Sequence, residues 1–319
     1  MTAPLINLNN DIQMPAFGLG TYLSTEFDGY KYTKFCLENG YRHIDTAYFY
    51  ENEDVVGKAI NDVISTGLLK REDIFVTTKL WNIYHEPELV EKACRKSLEN
   101  LKLDYIDLYL MHTPIGYKYS ENEELLPKDA DGNFLFSDVD YLDTWKAMEK
   151  LVGPGRPVKS IGLSNFNSEQ ITRILENCDI KPVVNQVECN TSINQKKLIE
   201  FCKARDIVVM AYSPMTRPHY FEKDKSLPRP AILHEKVKEI GQKYNKSPGQ
   251  VVLRYLYQIG TVPIPKSSNE NRIVENISIF DFELSVEEMQ FMDGFNTGQR
   301  TVPFNACKTH KYYMFNIEF

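Results

Sequence analysis

Short runs rich in β-branched and aromatic residues alternate with amphipathic stretches eight times along the chain, and few folds accommodate that rhythm. The runs are Phe17–Gly20, Arg42–Asp45, Ile74–Leu80, Tyr105–His112, Val158–Ser164, Val183–Glu188, Ile207–Ser213 and Thr261–Pro265. Helical patterns follow them at Gly29–Asn39, Glu51–Ser65, Pro87–Asn100, Val139–Leu151, Ser168–Asn177, Asn194–Ala204, Ala231–Tyr244 with Pro248–Gln258, and Asn269–Ile277. Strands that read as continuous apolar runs must be covered on both faces, and helical crossovers between them build a parallel sheet. Eight such units predict a closed (β/α)8 barrel, with residues 1–319 as one domain. A doubly wound open sheet is the competing arrangement. Upstream, LINLNNDIQMPAF reads as a hairpin turning at Asn9-Asn10, placed to close the barrel floor. Ser168 reads as an N-cap, and Pro87 sits where a first helical turn tolerates proline. Long insertions after the fourth and seventh strands, and a C-terminal tail, are left over as loops.

Composition narrows the functional classes. The net charge of -7 is mild and dispersed, with no basic stripe for nucleic acid. The N-terminus lacks a cationic head followed by an apolar run, so no secretory signal is expected. No apolar segment approaches the ~20 residues that cross a bilayer. Six scattered cysteines without a C-x-x-C pair read as free thiols in a reducing cytosol. Histidines at H-x-H or H-x-x-x-H spacing are absent, so no metal site is expected.

In barrels of this kind the chemistry lies at the C-terminal ends of the strands. The residues there are Gly20-Thr21, Asp45, Lys79, His112, Ser164-Asn165, Gln186, Tyr212-Ser213 and Lys266-Ser267. Polar side chains at nearly every exit are hard to explain as packing. Within GYRHIDTAYFYENE, Asp45 ends the second strand and Tyr50 follows on its loop. Local residues alone would equally allow a Tyr-rich surface loop. With Lys79 and His112 on the neighbouring strands, the exits assemble an acid, a phenol, an amine and an imidazole. A lysine held charged by Asp45 is expected to lower the phenol from its ordinary pKa of about 10. That favours proton donation to a carbonyl under reduction. His112 is placed to orient the carbonyl oxygen.

Hydride requires a cofactor. GLGTYL is one glycine short of G-x-G-x-x-G, which disfavours a Rossmann site, and Tyr30 with Lys34 forms a Y-x-x-x-K pair read as chance. The better signal is PIPKSSNENRIVEN, a strand exit entering a short helix, where Lys266, Ser267, Ser268 and Arg272 suit a phosphate. Alone, that stretch also reads as a solvated cap, Tyr212 as a core aromatic and Gln186 as a buried amide.

GYRHIDTAYFYENE, LMHTPIG, SIGLSNFN, VVNQVE, AYSP and IPKSS with R-x-x-E-N occur in this order and resemble the motifs of the aldo-keto reductases, from about Leu5 to the closing HKYYMF. The resemblance implies a (β/α)8 barrel and an NADPH-dependent carbonyl reductase with Tyr50 as proton donor, assisted by Asp45, Lys79 and His112. It implies NADPH/NADP+ beside Gly20, Thr21, Tyr22 and Asp45, with Tyr212 stacked on the nicotinamide and Ser164, Asn165 and Gln186 on its carboxamide. Ser213 and Met215 would line the pyrophosphate channel. Lys266, Ser267, Ser268 and Arg272 would hold the 2′-phosphate, with Glu275 and Asn276 near the adenine.

Aldose reductase-like members carry tryptophan where this chain has Tyr22 and Thr113, whereas Trp81 is kept. The expected pocket, walled by Tyr22, Phe49, Tyr50, Trp81, His112, Thr113, Tyr220 and Phe304, is therefore wide and apolar. It favours steroid-sized ketones over sugars, and the overall look is similar to the insect 3-dehydroecdysone reductases. MTRPHYFEKDK departs from the leucine–glycine start usual after AYSP. The protein is read as a cytosolic monomer acting on a small carbonyl substrate. A cofactor-binding regulatory or structural protein on the same scaffold is the alternative, although that role does not require all four catalytic residues.

Overall fold

The computed structural model describes residues 2–319. Strands β1 (Leu5–Asn7) and β2 (Gln13–Pro15) form an antiparallel hairpin. The strands β3 (Leu19–Gly20), β4 (His43–Asp45), β5 (Phe75–Leu80), β6 (Ile106–Met111), β7 (Val158–Ser164), β8 (Val184–Glu188), β9 (Val208–Tyr212) and β10 (Thr261–Pro263) then lie side by side in chain order. Every neighbouring pair is parallel. The Gly18 N–H donates to the Pro263 carbonyl at 3.1 Å and the Gly20 N–H to the Pro265 carbonyl at 3.2 Å, so first and last strands meet. The fold is a closed (β/α)8 barrel. A Cβ at Gly20 would lie 2.7 Å from the Ile264 carbonyl oxygen, so the seam requires glycine there. The glycines of GLGTYL serve closure.

The helices are α1 (Glu26–Glu38), α2 (Glu53–Ser65), α3 (Pro87–Leu101), α4 (Tyr141–Glu149), α5 (Ser168–Leu175) and α6 (Lys196–Lys203). After β9 come α7 (Pro218–Lys223), α8 (Glu235–Tyr244) and α9 (Pro248–Gln258), and after β10 come α10 (Glu270–Ile277) and α11 (Val286–Asp293). Three details differ from the sequence reading. The N-cap of α5 is Asn167, whose side chain accepts from the Gln170 N–H while Gln170 accepts from the Asn167 N–H. Helices α7 and α11 are additional. The S-x-x-E signature of α11, a capping box between Ser285 and Glu288, was legible.

The hairpin turns at Asn9-Asn10 as expected, and its loop takes in Asp11 as well. Leu8 pairs with Ile12, and Asp11 takes a left-handed φ of 65°. Its Met14 and Leu8 are buried with Leu108, Leu110, Val184 and Met210 of the barrel lining. The Asn9 side chain donates to the Pro182 and Asp206 carbonyls, and Asn10 donates to the Ser160 hydroxyl. The hairpin plugs the floor, which leaves the opposite rim for chemistry. All six cysteines are free thiols. Among the described residues, no helix is long and apolar enough to cross a membrane.

Candidate active site

Strand register brings the ionisable exits together. Lys79 is fully buried, and its ammonium donates to Asp45 Oδ1 at 2.7 Å, to the Thr46 carbonyl at 2.8 Å and to the Tyr50 hydroxyl at 3.2 Å. Gln186 Nε2 donates to Asp45 Oδ2 at 2.7 Å. Burial raises the Asp45 carboxyl and lowers the Lys79 ammonium, while each pulls its partner back toward the charged form. His112 meets the Tyr50 ring edge-on at 5.8 Å, and its Nδ1 is buried without a hydrogen-bond partner. Burial, with Lys79 adding to it, holds this imidazole neutral.

The Tyr50 hydroxyl departs from the sequence expectation. Burial, then the Asp45 carboxylate, pushes it well above its usual value. Tyr50 is half-buried, its accessible part faces the cleft, and the resting group is a phenol. Lys79 sits behind it as a donor that can take up the charge once the proton has left. A half-buried phenol, a neutral imidazole and an ammonium behind them can protonate an oxygen acceptor placed before them. Among the described residues, no group of three or more His, Cys, Asp or Glu side chains could hold a metal ion.

A family model described as the aldo/keto reductase family matches residues 18–297, which include all of these groups. The chain belongs to that family. Member C15 of aldo-keto reductase family 1 from Rattus norvegicus is 45% identical over 320 residues, covering 98% of each chain. Prostaglandin F synthase 1 of Bos taurus is 43% identical with the same coverage. A solved structure of a Bombyx mori aldo-keto reductase in complex with NADP matches with a TM-score of 0.90 at 39% identity, covering 98% of this chain and 99% of that one. As an aldo-keto reductase, the protein is an oxidoreductase.

The cleft of this aldo-keto reductase has a volume of about 620 Å³. At its centre Phe49 stacks on Trp81 at 3.9 Å, and Tyr22 tilts against Tyr50 at 5.0 Å. From there it runs past Ser164, Asn165, Gln186 and Tyr212 to Ser213, Met215 and Lys266. Tyr212 donates to Asn165 Oδ1 at 2.8 Å, Asn165 Nδ2 to the His112 carbonyl at 2.9 Å, and Ser164 to the Gln186 carbonyl at 2.9 Å. Ser213, Thr216 and Arg217 all take left-handed φ, a concentration of backbone strain of the kind functional sites retain. Thr21 is buried and bonded to the Asp45 carbonyl.

Ser267, Ser268, Arg272, Glu275 and Asn276 lie beyond the cleft, on the turn before α10 and on the helix itself. Ser267 is engaged locally with Asn269, whereas Lys266 and Arg272 are exposed with no carboxylate partner among the described residues. Two free cations at a helix N-terminus fit an anionic group.

Tyr220 and Phe304 reach the cavity, but Thr113 does not. It is 1% exposed and lies behind the wall, its hydroxyl bonded to Asn82 Oδ1 and the Ile115 backbone. The small residue there serves a turn and does not itself widen the pocket. The sequence reading also missed Tyr117, Leu126 and Phe134 from the loop after β6, and Val302 and Cys307 from the tail. Apolar residues inside an otherwise polar insertion were the available signal.

Proposed function

We propose that this aldo-keto reductase reduces ketones and aldehydes to alcohols with NADPH, favouring bulky apolar carbonyls of steroid or ecdysteroid size. The observation that carries the reading is the Asp45–Lys79–Tyr50 chain of contacts, 2.7 and 3.2 Å long, ending at the base of an apolar cleft. Ser164, Asn165, Gln186 and Tyr212 would hold the nicotinamide end of the cofactor, and Lys266 and Arg272 its 2′-phosphate. Bound NADPH supplies the hydride. The Tyr50 hydroxyl gives its proton to the carbonyl oxygen, the Lys79 ammonium stabilises the resulting phenolate, and neutral His112 orients that oxygen. All four groups within one contact cluster favour an enzyme over a regulatory scaffold, and six free thiols suit a cytosolic setting.

The substrate preference rests on the walls. Aromatic rings of Tyr22, Phe49, Trp81, Tyr117, Phe134 and Phe304 line the cleft, and Tyr22, Leu23, Leu126 and Tyr220 leave large apolar surfaces exposed at its mouth. Burying apolar area there is worth ~25 cal/mol per Å². Following NADPH absorbance with alicyclic and steroidal ketones beside glucose tests this directly. Higher kcat/KM for the large ketones is expected, and a preference for sugars refutes the substrate assignment.

A further inference from the structure

The substrate side of the cleft is completed by the tail that follows α11, through Val302, Phe304 and Cys307. One carboxylate at the barrel rim gathers the start of that tail. Glu188, the last residue of β8, is fully buried and accepts from the Thr301 N–H at 2.8 Å, the Thr301 hydroxyl at 2.5 Å and the Val302 N–H at 3.0 Å. Asn190 Nδ2 donates to it at 3.2 Å and to the Ser213 carbonyl at 3.3 Å. No lysine or arginine forms an ion pair with Glu188 among the described residues. Its hydrogen bonds come chiefly from donors of the tail, with the neighbouring Arg300 charge acting on it as well, and a buried carboxylate without donors is costly. Glu188 finds these donors only with the tail in its closed position, where the Ser192 carbonyl also accepts from the Thr297 and Gly298 N–H groups. Glu188 does not line the cavity.

We propose that Glu188 is a positioning residue for the substrate wall: through Thr301 and Val302 it holds the tail closed and sets the affinity for bulky carbonyls, touching neither substrate nor cofactor. The proposal rests on the reductase reading. A large alicyclic ketone needs the closed wall, whereas a small aldehyde reaches Tyr50 without it.

Two variants test it from opposite sides of the contact. Glu188→Gln replaces one acceptor oxygen with an amide donor facing tail N–H groups. Thr301→Val removes one hydroxyl from the tail and leaves the barrel untouched, so it remains informative if Glu188→Gln folds poorly. Steady-state kinetics with 1-decalone and with propanal are compared, alongside amide hydrogen exchange over residues 299–307. The expected result is a KM for decalone raised about tenfold, the factor that follows when the closed arrangement falls to about a tenth of the population. Propanal kcat/KM should stay within about twofold and the tail amides should exchange faster. Equal losses on both carbonyls, or an unchanged decalone KM with unchanged exchange, overturn the proposal. Should the wild type reduce neither carbonyl, the reductase reading fails, and the exchange comparison still decides whether Glu188 holds the tail.

Discussion

Replacing Lys79 with methionine should unfold the protein more readily as pH rises, a signature distinct from its effect on turnover. Methionine approximates the lysine stem but removes the ammonium that serves Asp45 at 2.7 Å, the Thr46 carbonyl at 2.8 Å and Tyr50 at 3.2 Å. Asp45 Oδ1 then has no donor, while Oδ2 keeps Gln186. Stranding one member of a buried pair costs roughly 3–5 kcal/mol. Asp45 escapes part of that cost by taking up a proton, because burial already raises its carboxyl and the opposing ammonium is gone. The folded mutant therefore binds more protons than the unfolded chain, whose carboxyl titrates near its ordinary ~3.9. Stability must then fall as pH rises above about 4, until the folded carboxyl also ionises. Urea denaturation of wild type and mutant at pH 5 and pH 8 measures the difference in slope. Adding Asp45→Asn should restore most of the stability without restoring turnover, since no ammonium remains beside the phenol. A pH-independent deficit, or near-normal turnover in Lys79→Met, refutes the account.

Tyr50→Phe should lower kcat by about 10²–10⁴-fold, with NADPH affinity unchanged by fluorescence titration, because only the proton donor is lost. Arg272→Ala should weaken NADPH by ~1.5–3 kcal/mol and leave NADH binding unaffected, as measured by calorimetry; equal losses would remove it from the 2′-phosphate site. Gly20→Ala places a Cβ 2.7 Å from a backbone oxygen at the barrel seam and should destabilise by about 1–3 kcal/mol in urea unfolding.

The parts legible in the sequence were those where a local pattern and a global rule coincide. Apolar runs bounded by Asp45, Lys79 and His112 marked strands, and the barrel rule then placed those exits on one rim. Residues whose meaning depends on distant partners were not legible. Thr113 invited comparison by size alone, yet its hydroxyl is committed to Asn82 and Ile115. The Tyr50 hydroxyl was expected to follow its nearest cation, whereas enclosure dominates. Tyr117, Phe134 and Val302 become walls only because their loops fold back over the rim, which no local periodicity encodes. Cation–carboxylate contacts far apart in sequence, such as those of Glu123 with Lys92 and Lys96, are equally invisible without the fold.

The floor hairpin has a consequence for how the chain is made. Its Asn9 and Asn10 side chains bind partners 150 to 197 residues further along. At ribosomal rates of roughly 5–20 residues per second, those partners follow it by about 8–40 s. Leu8 and Met14 spend that interval with only part of the interior that will cover them, waiting for the strands that bear Val184 and Met210. An N-terminal segment that two-thirds of the polypeptide must precede into place is a natural point for chaperone capture during synthesis.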